Sequence, residues 1–361
     1  MLTWVEINKK ALIFNLQQFC KKIGDRVEII PVVKSNAYGH GFLEVAKFCD
    51  ACYLIKKIAV VNLAEALELR KNKIKKPLIV LSFFDFEDLA TSARQELKNI
   101  SLPIYDLPTA VKLNNFAQKR GISIKIHLKI DTGASRIGFW PNDLLKNAGL
   151  LKKLNNLDIE GIFSHFASSE ENKRFTQTQL RIFNKTILKL KKQGIDPPLK
   201  HIACTAAALA LLQSQCNAIR LGIGLYGLYP SPQIKKMNVI KLKPALSWHA
   251  RLIQVREIPK NTLIGYGGAY RTHRQTQLGI IPVGYWDGLP RALSNCGQVL
   301  FKGKKCAILG RICMNLTMID LTGLNAKTGD KVTLIGRQGK GEITADDLAQ
   351  KINTINYEVV T

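Results

Sequence analysis

Acidic residues are scarce in this 361-residue chain: 27 Asp and Glu stand against 53 Lys and Arg, a formal net charge of +26. The pattern of that surplus argues against a nucleic-acid footprint. Thirty-eight of the cations are Lys and 15 are Arg, spread along the whole chain in pairs such as Lys9-Lys10, Lys21-Lys22 and Lys191-Lys192. There is no basic tail and no interleaving of Arg with aromatics of the kind that grips single strands. The charge reads as a solvated surface, and no nucleic-acid partner is expected. Long apolar runs are missing too. None reaches the ~18 residues of a membrane span. The first twenty residues carry Glu6, Lys9 and Lys10 where a signal peptide would have its apolar stretch. A cytoplasmic protein with reduced thiols and no membrane partner is expected. Cys49 and Cys52 form a lone C-x-x-C with nothing at zinc spacing to complete it, so no metal site is expected. Repeats and low-complexity segments are absent. An apolar share of 46% excludes a disordered chain.

What is present is alternation. Predicted strands at 27–33, 58–61, 77–81, 103–107, 123–130, 158–165, 201–204 and 218–221 alternate with helical patterns. The helices are placed from about residue 42, through Glu65 and Leu69, at 87–97, 109–119, 144–154 and 173–192, and in the Ala/Leu run to Leu212. Eight strand-helix units over roughly 230 residues predict a (β/α)8 barrel of α/β class. A doubly wound sheet is the alternative, usually with fewer strands. After Tyr229, Pro230, Pro232 and a Lys-rich stretch read as a linker. Beyond it strands dominate, at 247–257, 277–283, 298–301, 306–309, 316–320 and 330–335. The expected division is a barrel over residues 1–229 and a β-strand-rich domain over 230–361.

Barrel enzymes gather their chemistry where the strands end. Lys34 follows the first predicted strand, within KSNAYGHG. Lys129 and Asp131 close the fifth, followed by DTGASRIG with Arg136. His165 ends the sixth, Thr205 follows the seventh, and Arg220 lies in the eighth before LGIGLYG. Lysines, arginines, a histidine, a hydroxyl and a glycine cluster thus converge on one rim. A lysine desolvated at a strand end loses its proton more readily and becomes a nucleophilic amine. Such amines form Schiff bases with carbonyls, the aldehyde of pyridoxal phosphate among them. The segment Gly222–Gly227 could supply backbone N–H groups for a phosphate. It also spells G-x-G-x-x-G, but Pro230 and Pro232 follow where a dinucleotide site needs a helix, and no acidic residue follows at the required distance.

KSNAYGHG, DTGASRIG, SHFA at Ser164, RLGIGLYG at Arg220, GYGGAY at Gly265, GYWDGLPR at Gly284 and GRICMN at Gly310 resemble, in order, the signature blocks of bacterial alanine racemases. The resemblance spans nearly the whole chain. It implies a pyridoxal 5'-phosphate-dependent isomerase, a homodimer with a shared active site, that interconverts L- and D-alanine for peptidoglycan. It implies that Lys34 binds the cofactor and is one catalytic base, and that Tyr266, from the partner subunit, is the other. Tyr38, Thr205, Gly222 and Ile223 match phosphate-site positions. Arg220 matches the arginine facing the pyridine nitrogen, and His165 the residue linking it to the catalytic tyrosine. A cationic neighbourhood from His165 and Arg220 would favour the phenolate of that tyrosine. Arg136 and the Met314 backbone match substrate-carboxylate contacts. Lys129 matches a lysine carbamylated in many members, and Tyr285, Arg291 and Asn315 match the entrance. Asn315 departs from the family's usual Asp. The family also continues past an NYEV block, whereas this sequence stops at Thr361, which reads as a shortened chain.

Other readings compete. A racemase of broader specificity is the runner-up. A decarboxylase of the same barrel type would pair the pyridine nitrogen with a carboxylate, against Arg220. A pyridoxal-phosphate carrier would resemble the barrel alone and lack the domain that holds Tyr266.

Overall fold

The computed structural model describes all 361 residues and divides into two compact units. Residues 13–242 form the first unit. Its eight strands are Glu28–Pro31, Ile58–Asn62, Leu78–Phe83, Ile100–Ile104, Ile124–Lys129, Leu157–Phe163, Leu199–His201 and Ala218–Leu221. All pair in parallel, each with its neighbour in the chain, and the first pairs with the last. A bridge between Val32 and Ala59, with the Val33 N–H donating to the Ala59 carbonyl at 2.9 Å, joins the first strand to the second and closes the barrel. The inward face is built from small and branched residues, Ile30, Val32, Ala59, Ile79, Leu199 and Ala218 among them, as the taper of such a barrel requires.

Three elements of the barrel lie elsewhere than the sequence pattern places them. The seventh strand is Leu199–His201, not 201–204, and Cys204 is already the N-cap of the helix Thr205–Ala210. The fourth strand is Ile100–Ile104, not 103–107. Asp106 ends it by capping the next helix, its carboxylate accepting the Thr109 N–H at 2.7 Å, with Pro108 in the first turn. The helix expected over 87–97 spans only Phe86–Thr91, because Ser92 turns extended and its hydroxyl donates back to the Asp88 carbonyl. A helix over Lys9–Ile23 has no counterpart in the sequence reading.

The second unit comprises residues 1–12 and 243–361. One sheet orders Thr3–Ile7, Leu246–Arg251, Lys331–Gln338, Gln298–Phe301 and Lys304–Ala307, with Gly341–Ile343 beside Lys331–Gln338. A second orders Gln254–Ile258, Thr276–Ile281 and Thr317–Asp320. The single strand expected at 247–257 is therefore two. The chain leaves the first sheet at Leu252, whose N–H donates to Asp330, and enters the second at Ile253, whose N–H donates to Ile280. Two terminal helices, Ala345–Lys351 and Asn356–Val360, were not expected among strands. Thr344 and Asp347 start the first of them as a reciprocal capping box. A single cut after residue 229 does not describe this division. Thr3–Ile7 pairs antiparallel with Leu246–Arg251, so the first residues belong with the strand-rich unit.

Candidate active site

Lys34 stands one turn beyond the first barrel strand, where the backbone takes an unusual course. Ser35, Asn36, Ala37 and Tyr38 all have φ between +53° and +55°, a complete left-handed turn made without glycine. Each such residue costs about 1–2 kcal/mol, so the turn persists only because its surroundings fix it. Glu65 does much of this, its two oxygens accepting the N–H groups of Ser35 and Val61 at 2.8 Å each. Asn36 accepts from Phe42 N–H at 2.9 Å, and the His40 ring bonds the Tyr38 carbonyl at 2.7 Å. The KSNAYGHG block is thus legible as mechanics. The turn leaves Lys34 half-buried and brings the Tyr38 hydroxyl to Gly222, within 2.7 Å of where a Cβ there would lie. Burial, then the nearby Arg136 guanidinium, push the Lys34 amine below its ordinary pKa, against the pull of Glu65.

The DTGASRIG block forms a tight loop after the fifth strand. The Asp131 carboxylate accepts from the N–H groups of Gly133, Ser135 and Arg136 at 2.8, 3.1 and 2.7 Å. Burial works against its charge, but these bonds outweigh it and hold the carboxyl below its usual range. Gly138, at φ +145°, lets Phe139 return to pair with Ile130; a Cβ there would lie 2.5 Å from the Asp131 nitrogen. Lys129 donates to the Leu81 carbonyl at 2.8 Å. Burial, then Arg136 and Arg220, lower its pKa to about 8.

Arg220 is buried, and both of its terminal nitrogens are engaged. One of its terminal nitrogens bonds His201 Nδ1 at 2.6 Å and the His201 carbonyl at 3.1 Å. The other bonds the carbonyls of Ser164 and Ile202 at 2.7 and 3.0 Å and His165 Nδ1 at 3.2 Å. None of these acceptors is a carboxylate. Burial pushes the guanidinium down to about 10, still cationic at neutral pH. Burial, then Arg220, drive His165 down to about 3. His165 is therefore neutral. The expectation that it joins Arg220 as a source of positive charge is corrected: it is an acceptor for the guanidinium. Beside Arg220, the Thr205 hydroxyl accepts from Gly222 and Gly224 N–H groups at 3.2 and 3.4 Å, and Ile223 is fully buried between them. Residues 222–227 form successive turns, with no helix directly after them.

The strand-rich unit carries the remaining expected residues. Tyr266 opens a three-residue turn flanked by Gly265, Gly267 and Gly268, all at positive φ, and its side chain is 71% exposed. The Arg311 guanidinium packs over Gly267, where a Cβ would come within 3.0 Å. GYWD and CMN are pinned together: Tyr285 and Trp286 N–H groups donate to the Cys313 and Met314 carbonyls at 3.0 and 2.9 Å. Gly284 is obligatory there, since a Cβ would lie 2.2 Å from the Cys313 oxygen. Tyr285, Arg291, Met314 and Asn315 are all exposed. Sequence reasoning missed Glu65, Ser164 and His201. Ser164 lay inside a quoted block; Glu65 and His201 sat in segments read only as a helix and a strand.

A parallel barrel with a half-buried lysine after its first strand and a buried arginine in its last, joined in one chain to a strand-rich unit, defines a class of pyridoxal-phosphate enzymes acting on amino acids. Residues 7–230 match the family described as alanine racemase, N-terminal domain, and residues 245–361 the alanine racemase, C-terminal domain. The chain belongs to the alanine racemase family. It is 39% identical over 360 residues to alanine racemase 2 of Caldanaerobacter subterraneus subsp. tengcongensis, covering 99% of this chain and 91% of that protein. Its fold is similar to alanine racemase of Clostridium difficile 630, with a TM-score of 0.93 and 35% identity over 100% of this chain and 93% of that one. It is also similar to alanine racemase from Bartonella henselae, solved with covalently bound pyridoxal phosphate, with a TM-score of 0.84 and 26% identity over 100% and 96% of the two chains.

The family depends on pyridoxal phosphate, and the residues here suit that group. The Arg136 guanidinium works against the charge of Lys34, Lys129 and Arg220, while Asp131 is occupied by backbone N–H groups. This positive surplus fits a phosphate and a substrate carboxylate. The glycines at 222 and 224 leave a cradle that side chains would fill: a Cβ at Gly224 would lie 2.7 Å from Thr205 Cγ2.

The buried histidines make stability depend on pH. Burial lowers His40 to about 4, and burial with Arg220 lowers His165 to about 3. Above the unfolded value of about 6.5, neither state binds the proton, and this contribution is constant. Below it, only the unfolded chain takes the proton up, so stability falls as pH drops from about 6.5 toward 4. At pH 5 each histidine costs roughly 2 kcal/mol. Urea midpoints at pH 7.5 and 5.0 should show the loss, and His40→Gln should reduce it. An unchanged pH difference in that variant would refute the assignment.

Proposed function

We propose that this chain interconverts L- and D-alanine with Lys34 and Tyr266 as bases on opposite faces of the substrate, and that it works as a cytoplasmic homodimer supplying D-alanine for peptidoglycan. Pyridoxal phosphate, when bound, supplies the electron sink that acidifies the substrate's α-carbon. The observation that carries the reading is the lowered pKa of Lys34, an amine held half-buried by the left-handed turn among other cations. An amine in that condition is suited to bind a carbonyl carbon and to accept a proton at Nζ.

The Tyr38 and Thr205 hydroxyls and the N–H groups of Gly222 and Ile223 would hold the phosphate, the Gly222 N–H exchanging for it the bond it makes to the Thr205 hydroxyl. Arg220 would face the pyridine nitrogen and donate a hydrogen bond to it while keeping its own proton. It would therefore leave the ring nitrogen unprotonated and restrain side reactions that need a stronger sink. Arg136 and the Met314 N–H hold the substrate carboxylate; the Met314 carbonyl is already taken by Trp286. Tyr285, Arg291 and Asn315 line the entrance, where Asn315 removes a charge that the family usually carries. Tyr266, exposed on a turn that glycines shape, serves a second copy of the chain. That no helix is long and apolar enough to cross a membrane agrees with the proposed compartment.

Lys129 carries a carbamate in this reading and braces Arg136. Its pKa of about 8 leaves a share of neutral amine at neutral pH. That amine adds to carbon dioxide, forming an N–C bond and releasing one proton. Protein equilibrated with 13C-bicarbonate should give a carbamate resonance that grows as pH rises through about 8 and disappears in Lys129→Ala. A resonance that persists in the variant would place the modification elsewhere.

Two further outcomes test the bases. Borohydride reduction of the holoenzyme and peptide mapping should find the pyridoxyl group on Lys34; a label on another lysine ends the assignment. Tyr266→Phe should keep its bound cofactor and lose racemisation of alanine by ~100- to 10,000-fold, the usual contribution of a positioned general base. Wild-type exchange rates in that variant would refute the role.

A further inference from the structure

Arg220 is the first member of a longer chain of hydrogen bonds that runs down the inside of the barrel. His201 Nδ1 receives the guanidinium at 2.6 Å, and His201 Nε2 meets His127 Nδ1 at 3.0 Å. His127 Nε2 meets Glu160 Oε2 at 3.3 Å. Glu160 is held in turn by the Ser101 hydroxyl at 2.5 Å and by Lys125 Nζ at 3.0 Å. Both imidazoles are completely buried.

The two ends of this chain dictate its direction. An arginine can only donate, and a carboxylate can only accept. His201 must therefore accept at Nδ1 and carry its proton at Nε2. His127 must do the same and donate from Nε2 to Glu160. One arrangement of protons satisfies every link, and it requires both rings neutral. Burial lowers both histidines, in agreement. The bond from His127, with those from Ser101 and Lys125, holds Glu160 ionised well below its usual range.

The packing around the chain fits it. A Cβ on Gly161 would lie 2.5–2.8 Å from the His127 ring, so the ring occupies space that only glycine leaves. Phe163 stacks flat on His201, with centroids 5.0 Å apart and planes at 5°. Arg220 itself touches neutral acceptors only, so Glu160 is the carboxylate to which its hydrogen bonds lead, two imidazoles away.

We propose that Glu160 is a positioning residue for the racemase reaction: through His127 and His201 it fixes the proton arrangement that holds Arg220 in place as a donor. The proposal rests on the reading of Arg220 as the partner of the cofactor's ring nitrogen. A polarised chain ending in a fixed negative charge strengthens each link. It also favours the guanidinium keeping its proton, on which the weak electron sink depends.

The test is 15N NMR of histidine-labelled holoenzyme, with His127 and His201 assigned by single His→Gln variants, together with the visible spectrum of the bound cofactor. In the unsubstituted protein both histidines should be neutral with the proton on Nε2. A proton on Nδ1, or a charged ring, at either position overturns the proposal without any further variant. Glu160→Gln should disturb the tautomers, shift the cofactor's visible band, and lower kcat by roughly 10-fold, the scale seen when outer partners of metal-bound histidines are removed. KM for alanine should change by less than about twofold, as for an interaction felt mainly in the transition state. Gly161→Ala, which displaces the His127 ring without removing charge, should do the same. Unaltered tautomers and band in Glu160→Gln, even with a lowered melting temperature, would reduce Glu160 to a structural role and overturn the proposal. Altered tautomers with an unmoved band would show that the chain exists but that Arg220 does not meet the ring, which overturns the proposal through the reading beneath it.

Discussion

Positive charge gathered in and around a barrel interior, with no free anion of the protein's own to balance it, is the constraint from which the rest of this molecule follows. Arg136 raises the cost of protonating Lys34, Lys129 and Arg220, and all four cations raise that of protonating His165. Removing charges from water is expensive unless they are paired. The chain meets that cost with dipoles. Carbonyls and neutral imidazoles surround Arg220, and a carbonyl takes the Lys129 amine. The nearby carboxylates, Asp131 and Glu65, are turned to backbone N–H groups. A site built this way is incomplete until an anion arrives, and its groups are ordered before that happens. Such preorganisation is what electrostatic catalysis requires.

The backbone holds these charges in positions that side-chain preference alone would not select. Four consecutive residues at positive φ, none of them glycine, cost several kcal/mol on the usual scale. The hydrogen bonds from Glu65, Asn36 and His40 offset that cost and fix where the turn begins and ends. Elsewhere glycine supplies room instead of conformation. Gly222 admits the Tyr38 hydroxyl, Gly161 admits an imidazole, and Gly284 admits two carbonyls.

The barrel was legible in the sequence because each strand is a short branched run bounded by polar turns. Its rim was legible because chemistry-bearing residues follow the strands directly. Lys34, Arg136, His165, Thr205 and Arg220 lie in the barrel unit close to the strand ends expected of them. What escaped is instructive. His201 was read as the start of a strand, and its ring points along a chain that crosses four strands, which no single-strand pattern displays. Glu65 resembles any acidic residue in the first turn of a helix; its role appears only when the distant Ser35 N–H arrives. The protonation of His165 was misjudged because sequence shows neighbours in order, whereas its charge is set by burial and by Arg220, 55 positions away. The strand at Thr3–Ile7 was missed because its partner, Leu246–Arg251, lies on the far side of the whole barrel in sequence.

That last pairing bears on how the chain reaches its fold. A ribosome releases Thr3–Ile7 before the barrel and Leu246–Arg251 only after every barrel residue has emerged. The barrel's neighbouring strands are close in sequence, so residues 13–242 can collapse while synthesis continues. The opening strand meanwhile waits with unpaired edges. Its placement makes closure of the strand-rich unit the late, long-range event of folding. The same arrangement makes the barrel, in topological terms, an insertion within the unit that carries Tyr266.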